Sequence, residues 1–257
     1  FSGYWRKPDR FSEEFSLNYS EPWVLGYQVD DGLGLERVVR DTTFIEWQYE
    51  LNSRMRIRDN LYLVSRVHRR IALPDSASSR RERITRNAVL NGEIGIEYDS
   101  RDYPVNPRTG IFYRNTYSYG LKENFGPSYL LNEQGIRKNE RLETIRIDFR
   151  WFQRLTFNQV VALQMKGFKV SGSRLQLTDF FWFGGSRSLR GYRENQFRGN
   201  EVAWANLEYR FLLGRNSRLF LFNDWGFYRN IRREGDTDEI LPGYGIGIRL
   251  DTGLGIM

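Results

Sequence analysis

The chain has 257 residues, with 39 Lys and Arg against 32 Asp and Glu for a net charge of +7, 16% aromatic residues and a mean hydropathy of -0.62. A chain of this size fits one large all-β or barrel domain, and the lack of any cysteine removes disulfides, thiolate catalysis and cysteine metal sites. A single histidine, His68, excludes a multi-histidine metal centre, and no run of about 18 apolar residues offers a transmembrane helix.

The absence of an apolar helix does not exclude membrane-spanning strands, which show lipid only at every second residue. Phe1 to Arg10 lack a basic segment followed by an apolar core, so the reading expects an export signal to have been removed. The far end, Leu250 to Met257, reads as a turn and the start of another strand. A fragment of a longer protein is therefore expected.

From there the period is two. In 44–52, Ile45, Trp47, Tyr49 and Leu51 alternate with Glu46, Gln48, Glu50 and Asn52. Ile94, Ile96 and Tyr98 alternate with Glu93, Glu97 and Asp99; Ile145, Ile147, Phe149 and Trp151 alternate with Arg146, Asp148 and Arg150. In 203–211, Ala203, Ala205, Leu207, Tyr209 and Phe211 alternate with Trp204, Asn206, Glu208 and Arg210; in 244–250, Tyr244, Ile246, Ile248 and Leu250 alternate with Gly245, Gly247 and Arg249. A strand turns successive side chains to opposite faces, so each segment has one apolar and one polar face.

This predicts strands at 15–24, 25–38, 42–58, 60–73, 86–102, 109–122, 141–156, 158–172, 200–213, 217–230 and 243–252, with a stub at 254–257. Many reach the length of about 9–11 residues that crosses a bilayer, against about 5–6 for soluble strands. Tight turns at Arg58-Asp59-Asn60 and Thr156-Phe157-Asn158 contrast with long polar connections at 74–85, 123–140, 173–199 and 231–242. Short turns at one end and long loops at the other suit an outer-membrane barrel with the long loops outside. A soluble sandwich also alternates, but acidic and basic residues share the polar faces here, as pairing across a wet interior requires. The arginines are scattered through alternating strands, which speaks against nucleic acid as a partner.

The densest segment is 180–200, FFWFGGSRSLRGYRENQFRGN. Gly184 and Gly185 precede Leu189-Arg190-Gly191-Tyr192, and glycines permit a sharp turn or a close approach. On chemistry alone Arg190 is either solvated on a surface loop or delivered to one fixed point. The segment from Asp99 through Arg101, Asp102, Pro104, Asn106 and Pro107 to Gly110 reads as a structural turn, because proline fixes φ and glycine admits positive φ. Nothing else carries chemistry. There is no G-x-S-x-G elbow, Gly32-Leu33-Gly34 lacks the further glycine of a dinucleotide loop, and Asp236, Asp238 and Glu239 read as a solvated loop without EF-hand spacing.

The GG-x(3)-LRGY run resembles the sixth-loop motif of the BamA/TamA outer-membrane assembly and translocation superfamily, the bacterial surface antigen barrels. Further motifs are similar in the same order: Tyr19-Ser20-Glu21-Pro22-Trp23, then Asp99-Ser100-Arg101-Asp102-Tyr103-Pro104-Val105-Asn106-Pro107-Arg108-Thr109-Gly110. Downstream come Leu207-Glu208-Tyr209-Arg210, Phe222-Asn223-Asp224-Trp225-Gly226 and Gly243-Tyr244-Gly245-Ile246-Gly247-Ile248-Arg249.

The resemblance implies an all-β transmembrane antiparallel up-and-down barrel over 1–257, comprising about 11–12 strands of a family barrel of about sixteen. It further implies that loop 173–199 is extracellular and folds into the lumen, where Arg190 pairs with Asp224 and Glu208 on the wall. The expected function is assembly of outer-membrane proteins or polypeptide translocation in the outer membrane, with no catalysis and no cofactor. Expected partners are outer-membrane lipids, unfolded outer-membrane or secreted polypeptides and accessory assembly subunits. The alternatives are a two-partner secretion pore or the membrane anchor of a patatin-like lipase.

Overall fold

The computed structural model describes every residue except 9, 23–25, 27, 41–42, 134–135, 232–238, 253–254 and 257. Strands β1 (Ser2–Arg6), β2 (Glu13–Glu21), β3 (Val29–Arg40), β4 (Phe44–Arg58) and β5 (Leu61–Pro74) lead to the short helix α1 (Ser76–Arg81). Then come β6 (Arg86–Asp99), β7 (Gly110–Gly126), helix α2 (Ser128–Glu133), β8 (Asn139–Arg154) and β9 (Gln159–Gly172). After a 3-10 turn at Leu177–Asp179, β10 (Phe181–Phe183) and β11 (Phe197–Gly199) form a two-stranded hairpin. The chain continues with β12 (Glu201–Leu212), β13 (Arg218–Arg229), β14 (Glu239–Arg249), β15 (Asp251–Thr252) and β16 (Gly255–Ile256).

Twelve strands form one sheet in the order β1-β2-β3-β4-β5-β6-β7-β8-β9-β12-β13-β14, each beside its neighbour in sequence apart from the excursion through β10 and β11. The chain divides into two compact units, one of 1–96, 116–145 and 170–180, the other of 97–115, 146–169 and 181–257. Strands β6 to β9 run through both.

The alternation buries polar and charged side chains on one face of the strands and exposes apolar ones on the other. In β7, Thr116, Ser118, Lys122 and Asn124 are buried, whereas Tyr117, Tyr119, Leu121 and Phe125 are exposed. In β12, Glu208 and Arg210 are buried while Leu207, Tyr209 and Phe211 are exposed; in β14, Tyr244, Ile246 and Ile248 are exposed. A soluble sheet would do the reverse, since burying charge while exposing leucine and isoleucine is unfavourable in water on both counts. The pattern suits an apolar solvent on the outer face. Pairing lowers the cost of the polar face: Arg66 on β5 reaches Glu93 on β6 at 2.9 Å and Glu50 on β4 at 3.4 Å.

Four details differ from the sequence expectation. Strand β1 is additional and is held to β2 by Trp5 Nε1 donating to Glu13 at 2.7 Å and by the Arg6–Glu14 ion pair. Strand β3 begins at Val29 instead of 25, and β14 already begins at Glu239, because Ile240 and Leu241 pair with Phe227 and Gly226 of β13. The polar connections 74–85 and 123–140 each contain a helical turn. In the first, Asp75 accepts from the Ser78 amide at 2.6 Å and caps the helix, while Arg80 and Arg81 close its last turn. Residues Trp23, Asp236, Asp238, Gly253, Leu254 and Met257 lie outside the described residues, and with them part of the expected 254–257 stub.

Replacing Ile94, an exposed apolar residue of β6, by arginine is expected to destabilise the folded chain in lipid vesicles by up to about 2–4 kcal/mol, the loss being largest if the site lies at the bilayer midplane. Denaturant unfolding measures this; an unchanged midpoint for Ile94→Arg would contradict an apolar solvent at that face.

Candidate functional site: a loop clasped by charge

The loop between β9 and β12 builds its own scaffold. Gly184 and Gly185 take φ of +119° and +87°, a region favoured by glycine, and let the chain reverse directly after β10. The Gly184 amide donates to Ser188 Oγ at 2.7 Å, and the Gly185 amide donates to the Leu189 carbonyl at 3.0 Å. Glu194 accepts from both the amide and the hydroxyl of Ser186 at 2.8 Å, tying the two sides of the turn together.

This scaffold rests on an aromatic base within its own unit. Phe183 and Leu189 are buried with Val202 and Tyr228, flanked by Phe168, Phe181, Tyr192, Phe197, Trp204 and Leu241. The Phe183 ring stacks on Trp204 at 5.8 Å between centroids and 3° between planes. Gly226 on β13 makes room: a side chain there would stand 2.8 Å from Leu189.

Leu189 and Gly191 bracket Arg190, whose guanidinium lies between two carboxylates. Nε and Nη2 donate to Oδ2 and Oδ1 of Asp224 at 2.8 and 2.7 Å, and the Arg190 backbone amide adds a third bond to Oδ2 at 3.1 Å. Nη1 donates to Glu208 Oε1 at 2.5 Å. The planar fork of arginine makes this two-carboxylate grip, which the point charge of lysine cannot reproduce. Asp224 is fully buried. Burial acts against the Arg190 charge, but the bonds to Asp224 and the charge of Glu208 outweigh it and hold its pKa above the ordinary guanidinium value.

The rest of the seat is apolar and close. The Arg190 guanidinium carbon lies 4.0 Å from the centroid of the Phe222 ring and 5.5 Å from that of Phe220, both on the same face of β13 as Asp224. Phe222 and Phe220 find space because β14 presents Gly245 and Gly247 opposite them; a side chain at Gly245 would stand 2.8 Å from the Phe222 ring. Gly243 lies directly against the Arg190 carbonyl, where any side chain would collide. Tyr192 completes the attachment by donating its hydroxyl to the Pro242 carbonyl at 2.9 Å, and Asn206 donates to the Ser188 carbonyl at 2.7 Å. Two further arginines extend the network: Arg210 donates to Glu208 at 2.7 Å, and Arg218 lies 3.8 Å from it.

The structure also brings together residues that sequence reasoning did not single out. In the other unit, Asp179 from the same loop is fully buried against Lys122 of β7 at 2.5 Å and Arg70 of β5 at 2.9 Å. Around it the Thr85 amide donates to Gln176 at 2.9 Å, Gln176 donates to Asn124 at 3.2 Å, and Asn87 donates to Thr178 at 3.2 Å. The polarity is inverted: here the loop supplies the acid and the strands supply the cations. Only the parity of Lys122 in its strand, which aligns it with Ser118 and Asn124, hinted at this in the sequence. Burial pushes the Asp179 carboxyl up, but the charges of Lys122 and Arg70 outweigh it and leave the pKa below its ordinary value of 3.8.

The turn from Asp99 to Gly110 is braced as its residue types suggest. Asp99 pairs with Arg101 at 2.7 Å, and Asp102 accepts from the amides of Arg108 and Thr109 at 2.9 and 3.2 Å. Asn106, buried beside Pro107, reaches the β12–β13 connection: it donates to the Arg215 carbonyl at 3.2 Å and accepts from Arg218 at 3.0 Å. Pro104 is exposed, and Gly110 opens β7 with φ of +106°. Arg218 thus links this turn to the carboxylates around Arg190. Among the described residues no group of His, Asp and Glu is arranged to hold a metal.

An antiparallel sheet with one apolar exposed face, long strands in sequence order and a charge-clasped loop defines an outer-membrane β-barrel domain. The chain belongs to the Omp85 superfamily: the model described as "Omp85 superfamily domain" matches residues 7–257. No curated protein matches its sequence.

Among solved structures, it is similar to BamA from Haemophilus ducreyi lacking POTRA domains 1-3, with a TM-score of 0.69 at 14% identity over 95% of this chain and 57% of that one. It is also similar to CdiB from Acinetobacter baumannii, with a TM-score of 0.57 at 10% identity over 94% of this chain and 51% of the other. CdiB from Escherichia coli gives a TM-score of 0.59 at 13% identity, covering 93% and 46%. The chain thus spans about half the length of these structures.

Two outcomes test the clasps. Arg190→Ala and Asp224→Ala are each expected to cost about 3–5 kcal/mol of folded stability, because each strands a buried partner. The double variant is expected to fall well short of the sum, and strict additivity in denaturant unfolding would exclude the pairing. For Asp179, the lowered pKa means that its contribution is present above the ordinary value of 3.8 and is lost as pH falls through the lower folded value. Hydrogen exchange of 175–180 should therefore accelerate in the wild type only in that acid range, whereas Asp179→Asn should exchange rapidly at neutral pH as well.

Proposed function

We propose that the chain is the barrel part of a protein that assists the insertion and assembly of outer-membrane proteins, acting on unfolded outer-membrane polypeptides, with accessory assembly subunits and the surrounding lipids as partners. In this reading loop 173–199 enters from the extracellular side and folds into the lumen, and the face carrying Glu208, Arg210 and Asp224 is the inner wall. The observation that carries the reading is the seat of Arg190, with two carboxylates, two phenylalanine rings and a facing row of glycines around one guanidinium. Such a seat fixes a long loop against the strands and leaves a discrete set of bonds to be broken if the loop has to move.

A second reading, polypeptide translocation through a two-partner secretion pore, is supported by the likeness to CdiB. There the same loop would shift within the lumen as the polypeptide passes. The two readings separate in one assay. The full-length protein in lipid vesicles is given an unfolded β-barrel client and, separately, an exported polypeptide with a protease outside the vesicle.

Assembly activity predicts faster folding of the client, and Arg190→Ala is expected to slow it by about tenfold, equivalent to about 1.4 kcal/mol in the barrier. Protease-sensitive passage of the exported polypeptide, with no effect on client folding, would favour translocation. Full activity of a folded Arg190→Ala variant in both assays would remove the clasp from the mechanism.

A further inference from the structure

Many strand arginines in this protein have carboxylate partners, but several that have none gather around one hollow. Arg69 of β5, Arg137 before β8 and Arg141 of β8 line a cavity of about 960 Å3 in the first unit, together with Ala88, Leu90 and Leu121. Arg69, Arg141, Leu90 and Leu121 all lie on the exposed faces of their strands, the side of the exposed Tyr117, Tyr119 and Phe125. None of the three guanidiniums has an acidic partner among the described residues.

Two carboxylates, Glu123 and Glu140, and the Lys122 ammonium also line the cavity, so its lining still carries a net positive charge, and both carboxylates already have partners. Glu123 pairs with Lys138 at 3.6 Å, and Glu140, on the buried face, accepts from Asn124 at 3.3 Å. Arg86, one step along the exposed face of β6 from Ala88, is also exposed and adds to the same charge.

We propose that this cavity binds a membrane lipid with an anionic phosphate headgroup. The assignment rests on the reading of this face as lipid-facing, and it goes further by naming a lipid class and a site. A guanidinium fork matches the oxygens of phosphate in charge and geometry, and three of them line this one hollow. Ala88, Leu90 and Leu121, also in the lining, offer apolar contact to the first carbons of the acyl chains. A free phosphate would leave those side chains uncovered, and a neutral headgroup would leave three charges unanswered. The volume lies within the range of about 300–1,000 Å3 typical of small-molecule sites.

The test uses the full-length protein in detergent micelles, titrated with phosphatidylglycerol, phosphatidylcholine or inorganic phosphate and read by native mass spectrometry. Wild type is expected to retain phosphatidylglycerol at least about tenfold better than phosphatidylcholine, and the triple variant Arg69→Gln, Arg137→Gln, Arg141→Gln to lose that preference. Inorganic phosphate at matched concentration should not compete.

Equal retention of the two lipids, an unchanged preference in the triple variant, or effective competition by inorganic phosphate would each overturn the assignment. If the triple variant does not fold, arginine modification by phenylglyoxal in wild type decides. Phosphatidylglycerol must protect Arg69, Arg137 and Arg141 but not Arg58, and equal labelling with and without lipid overturns the proposal. Partition of the same wild-type sample into vesicles separates the two levels. Insertion without lipid preference defeats only this site, whereas failure to insert defeats the lipid-facing reading itself.

Discussion

The grip of Asp224 and Glu208 on Arg190 determines what surrounds it. A guanidinium largely removed from water requires charge partners and acceptors, and here two carboxylates take three of its N–H bonds while a ring covers its face. That demand accounts for sequence choices on four separate elements. The loop carries paired glycines so that it can turn back on itself. Strand β12 places Glu208 on its buried face. Strand β13 puts aromatic rings beside an aspartate. Strand β14 gives up side chains at Gly243, Gly245 and Gly247 to leave room for the arginine backbone and the rings.

The second clasp, Asp179 with Lys122 and Arg70, shows that the loop is held by more than one contact. Each clasp lies within its own unit, and each combines charge pairing with neutral hydrogen bonds, although Arg70 Nε, Asn87 Oδ1, Arg210 Nη1 and Arg218 Nε stay buried without one. Buried ion pairs contribute little net stability, because desolvation cancels much of the attraction. Removing one partner is nevertheless costly, because the other charge is left buried and alone. The Asp99–Gly110 turn joins the first network through Asn106 and Arg218, so a segment read from its sequence as a simple turn also braces the β12–β13 connection.

Much of this was legible in the residues. Period-two alternation located eleven of the twelve strands of the large sheet, because a side chain that must face either lipid or a polar interior leaves its mark at every position. Strand β1 escaped because five residues, Ser2 to Arg6, are too few to display a period. The helical turns after β5 and β7 escaped because a polar run reads as a loop unless a cap such as Asp75 is recognised. Arg190, Glu208 and Asp224 could be named from motif resemblance, and the parity of Glu208 agreed with it. Asp179 and Lys122 could not, since their pairing joins positions far apart in sequence that share no local pattern. The lipid cavity was equally invisible, because it depends on which arginines lack a partner.

The opposite signs of the two clasps carry one more implication. Asp179 would meet only like charge at Glu208 and Asp224, and Arg190 only like charge at Lys122 and Arg70. Both encounters would be repulsive, and neither would find hydrogen-bond complements. Each seat therefore admits its own residue of the loop and repels the other's.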